Sequence, residues 1–312
     1  MHEVGSGADG NLVDGTPRRL GTSGLVSGPL ALGTWRFVHA DVTEATRVVE
    51  AALDAGMNLV DTADVYGLAW GGSGFGAVEE FLGEVLRRSP ALRDRIVLAS
   101  KGGIRPPLPY DSSAGSLTAA CDDSLRRMGV EVIDLYQVHR PDLFTHPAEV
   151  AGTLAALRAA GKIRAVGVSN HTVQQTEALH SHLAEAGVPL ATTQPELSVA
   201  HLRALRDGTL DVAMREDLGV LAWSPLAGGR VVTGEGLRPE LLSVLDRLAE
   251  REGVDRAAVA TAFVLAHPSR PVAIVGSQRP ERLAAASVAT TVRLDRNDVY
   301  DLVEAGEGVP LP

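Results

Sequence analysis

The chain has 312 residues and a formal net charge of -10, and 45% of its residues are hydrophobic and 22% charged. This composition is typical of a globular protein with a large core and excludes disordered and fibrous chains. The acidic balance and the lack of a basic cluster argue against a nucleic-acid partner, because phosphate binding needs a basic face.

The single cysteine, Cys121, excludes an intramolecular disulfide. No apolar run approaches the roughly 18 residues that a membrane span requires, and the first residues lack a signal pattern. We therefore expect a cytoplasmic protein without a membrane partner. The sequence does not predict its oligomeric state.

The first 28 residues are rich in glycine, serine and threonine. Residues 1–16 are predicted to form a flexible tail, and the turn residues at 21–24 predict a short hairpin after it. From Pro29 onward, eight short apolar runs alternate with amphipathic stretches, which predicts alternating strands and helices. The eight predicted strands span residues 29–35, 57–63, 96–101, 132–139, 163–169, 191–197, 219–225 and 271–276.

Several predicted helices end in a glycine that suits a left-handed cap, namely Gly56, Gly129, Gly161 and Gly187. Strands that alternate with helices imply a parallel sheet, and eight such units close most simply into a barrel. The alternative is a doubly wound open sheet, which gathers its polar residues at one switch point, whereas polar residues follow at least six of these strands. We expect residues 17–312 to form a single α/β domain, a (β/α)8 TIM barrel with a short N-terminal hairpin.

Four ionisable or polar residues stand at or just after the ends of predicted strands: Asp61, Tyr66, Lys101 and His139. Barrel active sites lie at these strand ends, so the positions predict catalytic roles. An ammonium near Tyr66 would make the phenol easier to deprotonate, and a tyrosine tuned in this way can act as a general acid. Asp61 would hold Lys101, and His139 would bind a carbonyl oxygen. Taken singly, such residues are more often structural, and an Asp–Lys pair is usually only a salt bridge.

With these four residues the chain resembles the aldo/keto reductase superfamily, whose Asp, Tyr, Lys and His residues occur in this order and setting. The resemblance extends from Arg18 to Leu294. The motifs His-Arg-Pro-Asp at 139–142 and Trp-Ser-Pro-Leu at 223–226 are most similar to those of a bacterial subgroup of largely uncharacterised reductases. Other matching segments are Gly33-Thr34-Trp35, 161–170, Gln194, 222–230 and 275–282.

The resemblance implies that the chain binds NADPH, and it also admits NADH. Ser169, Asn170 and Gln194 are implied to fix the nicotinamide carboxamide, and Trp223 offers a flat apolar face for the nicotinamide ring. The residues implied to lie near the cofactor at the first strand and at the pyrophosphate are Gly33, Thr34, Trp35, Ser224, Pro225, Leu226 and Gly228.

The last loop is implied to bind the adenosine 2′-phosphate through Gly276, Ser277, Arg279 and Arg282. The planar fork of arginine suits phosphate, which favours NADPH over NADH. Arg279 is alternatively a solvated surface charge. Two sites depart from the family pattern: Gly276 stands where many members have lysine, and Ala285 with Ala286 replaces a polar pair that often contacts adenine.

A glycine-rich insertion at 68–76 follows Tyr66. Because a loop after a barrel strand lies on the catalytic face, the residues predicted to wall the substrate pocket are Trp35, Trp70, Phe75 and Arg140. The alternative for the insertion is a flexible bulge.

The same insertion contains Gly72-Ser-Gly74-Phe-Gly-Ala77, a formal match to the dinucleotide fingerprint. Its first glycine lies about ten residues beyond the preceding strand, and the next strand ends in Lys101 instead of an acidic residue. We interpret the match as fortuitous. No metal site is predicted, because His180 and His182 face apart on a helix.

The resemblance implies an enzyme that reduces an aldehyde or ketone, such as a sugar or another small carbonyl compound, to an alcohol with NADPH and with Tyr66 as the general acid. One alternative is a non-catalytic, redox-sensing subunit, like the superfamily members that serve potassium channels. Another is a dehydrogenase that oxidises a sugar or alcohol in the cell. The sequence does not predict the substrate or the favoured direction.

Overall fold

A computed structural model of the protein describes residues 10–37, 41–69 and 71–312. The β-strands in this part of the chain are β1 (Arg18–Arg19), β2 (Val26–Ser27), β3 (Leu30–Gly33), β4 (Leu59–Asp61), β5 (Val97–Gly102), β6 (Ile133–Val138), β7 (Ile163–Ser169), β8 (Leu190–Gln194), β9 (Gly219–Ala222) and β10 (Val272–Val275).

The α-helices of the same part of the chain are α1 (Val42–Asp54), α2 (Ala77–Arg88), α3 (Ala114–Met128), α4 (Pro147–Ala159), α5 (Val173–Glu185), α6 (Thr209–Arg215), α7 (Arg230–Thr233), α8 (Pro239–Glu252), α9 (Arg256–Leu265), α10 (Pro280–Ala286) and α11 (Arg296–Glu307). None of these helices is long and apolar enough to cross a membrane.

Strands β3 to β10 form one closed barrel in the order of the sequence, and β10 pairs back onto β3. Neighbouring barrel strands are parallel. The predicted (β/α)8 barrel is therefore confirmed, and each of the eight predicted runs overlaps one of its strands. The alternative prediction of a doubly wound open sheet is wrong, because the eight-stranded sheet closes on itself and leaves no edge.

Glycines end the helices at the predicted positions. Gly129 caps α3 with a φ of 66°, and Gly56, Gly161 and Gly187 follow the caps of α1, α4 and α5 with φ values of 79°, 74° and 70°. A glycine takes this left-handed conformation without the steric cost of a Cβ. Each one stops its helix and turns the chain into the next strand.

The antiparallel hairpin of β1 and β2 precedes the barrel, as predicted. Arg18 of this hairpin is 2% exposed, and its guanidinium donates to the carbonyl of Pro271 next to the start of β10. Within the stretch predicted to be a tail, the backbone N–H of Leu12 donates to the carbonyl of Leu294. Residues 1–9 of that stretch lie outside the described residues.

Apolar side chains pack against both sides of the barrel wall. Between the wall and the helices, large side chains such as Leu82, Leu117 and Leu154 are completely buried. Inside the wall, a smaller cluster fills the interior and is formed by Leu20, Ala31, Leu59, Ala99, Leu135, Ala165, Ala191, Leu221, Val272 and Ile274. The interior is therefore a packed core. Polar side chains that could act in catalysis lie at the ends of the strands.

Candidate active site

A buried polar layer lies above this interior core, placed there by the alternation of side chains along each strand. The apolar residues Leu59, Ala99 and Leu135 are followed two positions later by Asp61, Lys101 and Gln137. Residues two apart face the same side of a strand, so all three of these polar side chains point inward. Each is at most 2% exposed. The strand period thus brings a carboxylate, an ammonium and an amide together.

The ammonium group of Lys101 has three oxygen partners. Its Nζ atom lies 2.7 Å from Asp61 Oδ2, 2.8 Å from the carbonyl oxygen of Thr62 and 3.2 Å from the hydroxyl of Tyr66. An ammonium has three donors, so these partners satisfy it fully. The structure therefore brings together three of the four residues predicted to be catalytic.

Both Tyr66 and Lys101 have raised pKa values. Burial raises the pKa of Tyr66, and the ammonium of Lys101 opposes this shift without cancelling it. Burial lowers the pKa of Lys101, but the Asp61 carboxylate and Tyr66 outweigh this effect and raise it. Tyr66 is therefore protonated and Lys101 charged at neutral pH, which are the states that proton donation from Tyr66 requires.

His139 follows β6 and lies beside Tyr66, with the two ring centroids 5.9 Å apart in an edge-to-face arrangement. Burial lowers the pKa of His139 well below its ordinary value, and the charges of Lys101 and Arg140 lower it further. The imidazole is therefore neutral at neutral pH and has one N–H to donate. Asp61, Tyr66, Lys101 and His139 are called the tetrad below.

Asn170 joins the predicted carboxamide residues to His139 and Trp223. Its Nδ2 donates to the His139 carbonyl at 3.2 Å and to Ser169 Oγ at 2.8 Å, and its Oδ1 accepts from Trp223 Nε1 at 3.0 Å. The hydroxyl of Ser169 and the backbone N–H of Asn170 both donate to the carbonyl of Gln194. Four residues predicted to hold nicotinamide therefore lie together beside the tetrad.

Gln137 and Thr192 belong to the polar layer but were not among the predicted site residues. Gln137 is fully buried, and its amide nitrogen lies 3.5 Å from Asp61 Oδ1. A signal was present, because Gln137 interrupts the apolar run of its strand. The sequence alone does not show which face of the strand that glutamine occupies.

The loop after β9 has a left-handed backbone at four positions, and two of them, Ser224 and Gly228, are among those predicted to approach the pyrophosphate. Ser224 and Ala227 have φ values of 58° and 51°, and Gly228 and Gly229 have values of 72° and 101°. The hydroxyl of Ser224 accepts a hydrogen bond from the N–H of Gly228 at 2.9 Å. The N–H groups of Ala227 and Gly229 also donate within the loop, to the carbonyls of Ser224 and Leu226. Contact of this loop with the pyrophosphate therefore stays a prediction.

The predicted 2′-phosphate loop lies at the start of α10. Arg279 and Arg282 are exposed, and neither guanidinium forms an ion pair within the described chain. Ser277 Oγ accepts from the backbone N–H of Arg279 at 3.2 Å, and Gly276 is exposed. Both polar atoms of the Gln278 amide are buried without a hydrogen-bond partner among the described residues. This loop therefore has free donors that an anionic ligand would satisfy.

The residues predicted to wall the substrate pocket are placed differently from one another. Arg140 is half-buried, and its charge lowers the pKa of His139 and partly opposes the rise in the pKa of Tyr66, so it lies close to the tetrad. Trp35 is half-buried, and the Arg36 guanidinium lies 5.7 Å from its ring centroid. Both positions are compatible with a pocket at the catalytic face.

Phe75 of the insertion lies against an arginine of α3. Its ring centroid lies 5.7 Å from the guanidinium carbon of Arg127 on α3, and Arg127 also forms a 2.8 Å ion pair with the buried carboxylate of Glu79 on α2. The role of Phe75 as a pocket wall stays a prediction. Trp70 lies outside the described residues.

The fold and the site together define a class of protein. A closed (β/α)8 barrel here presents a protonated tyrosine, a buried lysine–aspartate pair and a neutral histidine, and groups predicted to bind nicotinamide lie next to them. Polar groups gathered at the carboxyl ends of barrel strands are typical of an enzyme active site, and this set is compatible with an oxidoreductase. The sequence pattern of the Aldo/keto reductase family matches residues 29–307, and the chain belongs to that family.

Curated relatives cover nearly the whole chain. A 6-dehydroglucose reductase of Novosphingobium aromaticivorans is 48% identical over 298 residues, which are 95% of this chain and 97% of the relative. A 6-dehydroglucose reductase of Agrobacterium fabrum is 34% identical and covers 88% of this chain and 92% of its own length. An L-glyceraldehyde 3-phosphate reductase of Escherichia coli is 30% identical, with 85% of each chain covered. The protein is therefore an oxidoreductase of a family that uses NAD(P)H on small carbonyl compounds.

Proposed function

We propose that the protein uses NADPH to reduce the aldehyde group of a small sugar to an alcohol, with Tyr66 as the general acid. The observation that carries this proposal is the position of the Lys101 ammonium, 2.7 Å from Asp61 Oδ2 and 3.2 Å from the Tyr66 hydroxyl. A buried ammonium at this distance stabilises the phenolate that remains after Tyr66 has lost its proton. Tyr66 is therefore the favoured proton donor.

The roles of the tetrad follow from these positions. The carbonyl oxygen of the substrate accepts hydrogen bonds from the Tyr66 hydroxyl and from the neutral imidazole of His139. The cofactor, when bound, supplies a hydride to the carbonyl carbon, so negative charge develops on the oxygen. Tyr66 gives its proton to that oxygen, while Lys101 stabilises the phenolate and Asp61 keeps Lys101 in place.

The cofactor residues present in the chain fit a nicotinamide dinucleotide. Trp223 is half-buried and held at Nε1 by Asn170, so its ring is available for stacking on nicotinamide. The donors of Ser169, Asn170 and Gln194 are used within the chain, and their side-chain oxygens keep acceptor capacity for the NH2 group of a carboxamide. The two free guanidinium groups of Arg279 and Arg282 favour the additional phosphate of NADPH over the bare ribose of NADH.

The substrate proposal rests on the relatives and on Arg140. The relative that is 48% identical is named 6-dehydroglucose reductase, and we propose 6-dehydroglucose as the first substrate to test. Arg140 lies near Tyr66 and His139, and its guanidinium can donate to sugar hydroxyls. The same charge would also suit a phosphate, so L-glyceraldehyde 3-phosphate is the informative competitor.

The test measures oxidation of NADPH by the purified protein with 6-dehydroglucose, with L-glyceraldehyde 3-phosphate and with simple aldehydes. We expect turnover with the sugar aldehyde and a loss of at least about 100-fold in Tyr66→Phe, the contribution typical of a general acid. NADPH should still bind to this variant. Tyr110→Phe, which removes the hydroxyl of a partly exposed tyrosine, is the matched control. Native turnover in Tyr66→Phe would show that another group donates the proton.

A further inference from the structure

Gln137 lies inside the barrel on β6, in register with Lys101 on β5. Its side chain is fully buried. The amide lies 3.5 Å from Asp61 Oδ1, 3.4 Å from Gln194 Nε2 and 3.5 Å from the hydroxyl of Thr192. These distances are at the outer limit of hydrogen bonding, and together they place the amide between the tetrad and a residue of the proposed cofactor site.

The chemistry of the surrounding groups decides how both amides are oriented. A carboxylate only accepts hydrogen bonds, so the amide atoms that face Asp61 Oδ1 are the NH2 groups of Gln137 and Gln194. Gln194 Nε2 lies 3.0 Å from that oxygen and directs its other hydrogen to Gln137 Oε1. The side-chain oxygen Oε1 of Gln194 is then left to accept a hydrogen bond from a ligand.

The neighbouring strand leaves room for this arrangement because it carries a glycine. A Cβ atom on Gly167 would lie 2.9 Å from Cγ of Gln137 and 2.1 Å from the hydroxyl of Thr192. A larger residue at 167 would therefore force the Thr192 side chain, the Gln137 side chain or the strand itself to shift. The close approach, and not the backbone conformation, makes glycine necessary here.

We propose that Gln137 is a positioning residue that links recognition of the nicotinamide carboxamide to the Asp61–Lys101 pair. It holds the side-chain amide of Gln194 with its NH2 group toward Asp61, which leaves Oε1 of Gln194 to accept from the carboxamide NH2 of the cofactor. It also binds Asp61 Oδ1, which helps keep Oδ2 on Lys101. This inference rests on the proposed cofactor site and adds to it a residue that is placed to act only through others.

The first test compares the binding of NADPH with that of its 3-acetylpyridine analogue, in which a methyl group replaces the carboxamide NH2. The native protein should bind the analogue about 5-fold more weakly, which is the value of one neutral hydrogen bond. The ratio of the Kd for the analogue to the Kd for NADPH is called the analogue ratio. In Gln137→Leu, which keeps a similar volume without polar atoms, the analogue ratio should fall to about 2 or less. Tyr136→Phe, on the same strand but facing the helices, is the control and should keep the native ratio.

A second variant separates positioning from packing. In Gln137→Glu, the introduced carboxyl group donates to Asp61 when it is protonated and repels Asp61 when it is ionised. Turnover relative to the native protein should therefore fall as the pH rises. A defect in packing alone would lower turnover by the same factor at every pH.

The outcomes distinguish this inference from the proposed function. If the native protein binds neither NADPH nor the analogue, the proposed function fails and the inference fails with it. If NADPH binds and supports turnover, but the analogue ratio is unchanged in Gln137→Leu and the Gln137→Glu defect does not depend on pH, only the positioning role is overturned. A reduced ratio together with the pH-dependent loss supports it.

Discussion

The Nζ atom of Lys101 lies 3.2 Å from the hydroxyl oxygen of Tyr66 and 5.0 Å from the centroid of the Tyr66 ring. The two residues are 35 positions apart in the sequence, and they meet because each follows or ends a neighbouring barrel strand. Burial raises the pKa of Tyr66, and Lys101 is the largest opposing influence. If Tyr66 is the proton donor, as proposed, the charge on Lys101 favours that step because it stabilises the phenolate.

Replacement of Lys101 should affect both catalysis and stability. Lys101→Met leaves the Asp61 carboxylate buried without its charged partner, a change that typically costs about 3–5 kcal/mol of unfolding free energy. Turnover should fall at least about 100-fold, because the proton donor loses its activating charge. Urea unfolding and NADPH oxidation measure the two effects. Adding Asp61→Asn should restore part of the stability but none of the turnover; full stability in Lys101→Met alone would contradict the buried ion pair.

Replacement of Arg282 should weaken the binding of NADPH but not that of NADH. Arg282→Gln removes a guanidinium that is free in the described chain, and the loss of a charged hydrogen bond to the 2′-phosphate should raise the Kd for NADPH about 10- to 100-fold. Calorimetric titration with both nucleotides measures the change. Arg279→Gln is the matched comparison on the same loop. Equal weakening of NADPH and NADH by Arg282→Gln would place the side chain near another part of the nucleotide.

Trp223 should report cofactor binding by its fluorescence. If nicotinamide stacks on this ring, titration with NADPH should quench the emission, and Trp223→Phe should remove most of the quenching. Phenylalanine still offers an aromatic face but loses the hydrogen bond to Asn170, so the Kd should rise by no more than about 10-fold. Trp35→Phe, at another tryptophan predicted to lie near the cofactor, is the comparison and should keep most of the quenching. Quenching that persists in Trp223→Phe and disappears in Trp35→Phe would reverse the assignment.

Acid should destabilise the fold in part through His267, which lies after α9. Burial lowers the pKa of His267 from 6.5 to about 4, and its Nδ1 accepts a hydrogen bond from the N–H of Ser269. Above pH 6.5 the imidazole is neutral in both the folded and unfolded states. Between pH 6.5 and 4 the unfolded state takes up the proton first, so stability falls with pH, by at most about 3 kcal/mol from this group.

His267→Asn should therefore lose less stability than the native protein when the pH is lowered from 7 to 4. Thermal unfolding at a series of pH values measures the difference, and His182→Asn on α5 is the control. Parallel pH profiles for the native protein and His267→Asn would show that His267 contributes nothing to acid unfolding.

The sequence by itself determined the barrel and the tetrad. Short apolar runs, helices with three- and four-residue periodicity and capping glycines such as Gly129 are local signals, because each reflects the conformation of a few consecutive residues. Asp61 and Lys101 were predicted for the same reason, since each stands where an apolar run stops. Once eight strands form a parallel barrel, all their carboxyl ends lie on one face, so the meeting of these residues follows from the topology.

Only the tertiary structure decided the contacts that connect the site. The face on which Gln137 lies depends on strand register, and its contact with Gln194 joins residues 57 positions apart. The bond from Trp223 to Asn170 spans 53 positions, and Phe75 turned out to pack on Arg127 of a later helix. No local pattern encodes such pairs, because they depend on how the packed strands and helices orient individual side chains.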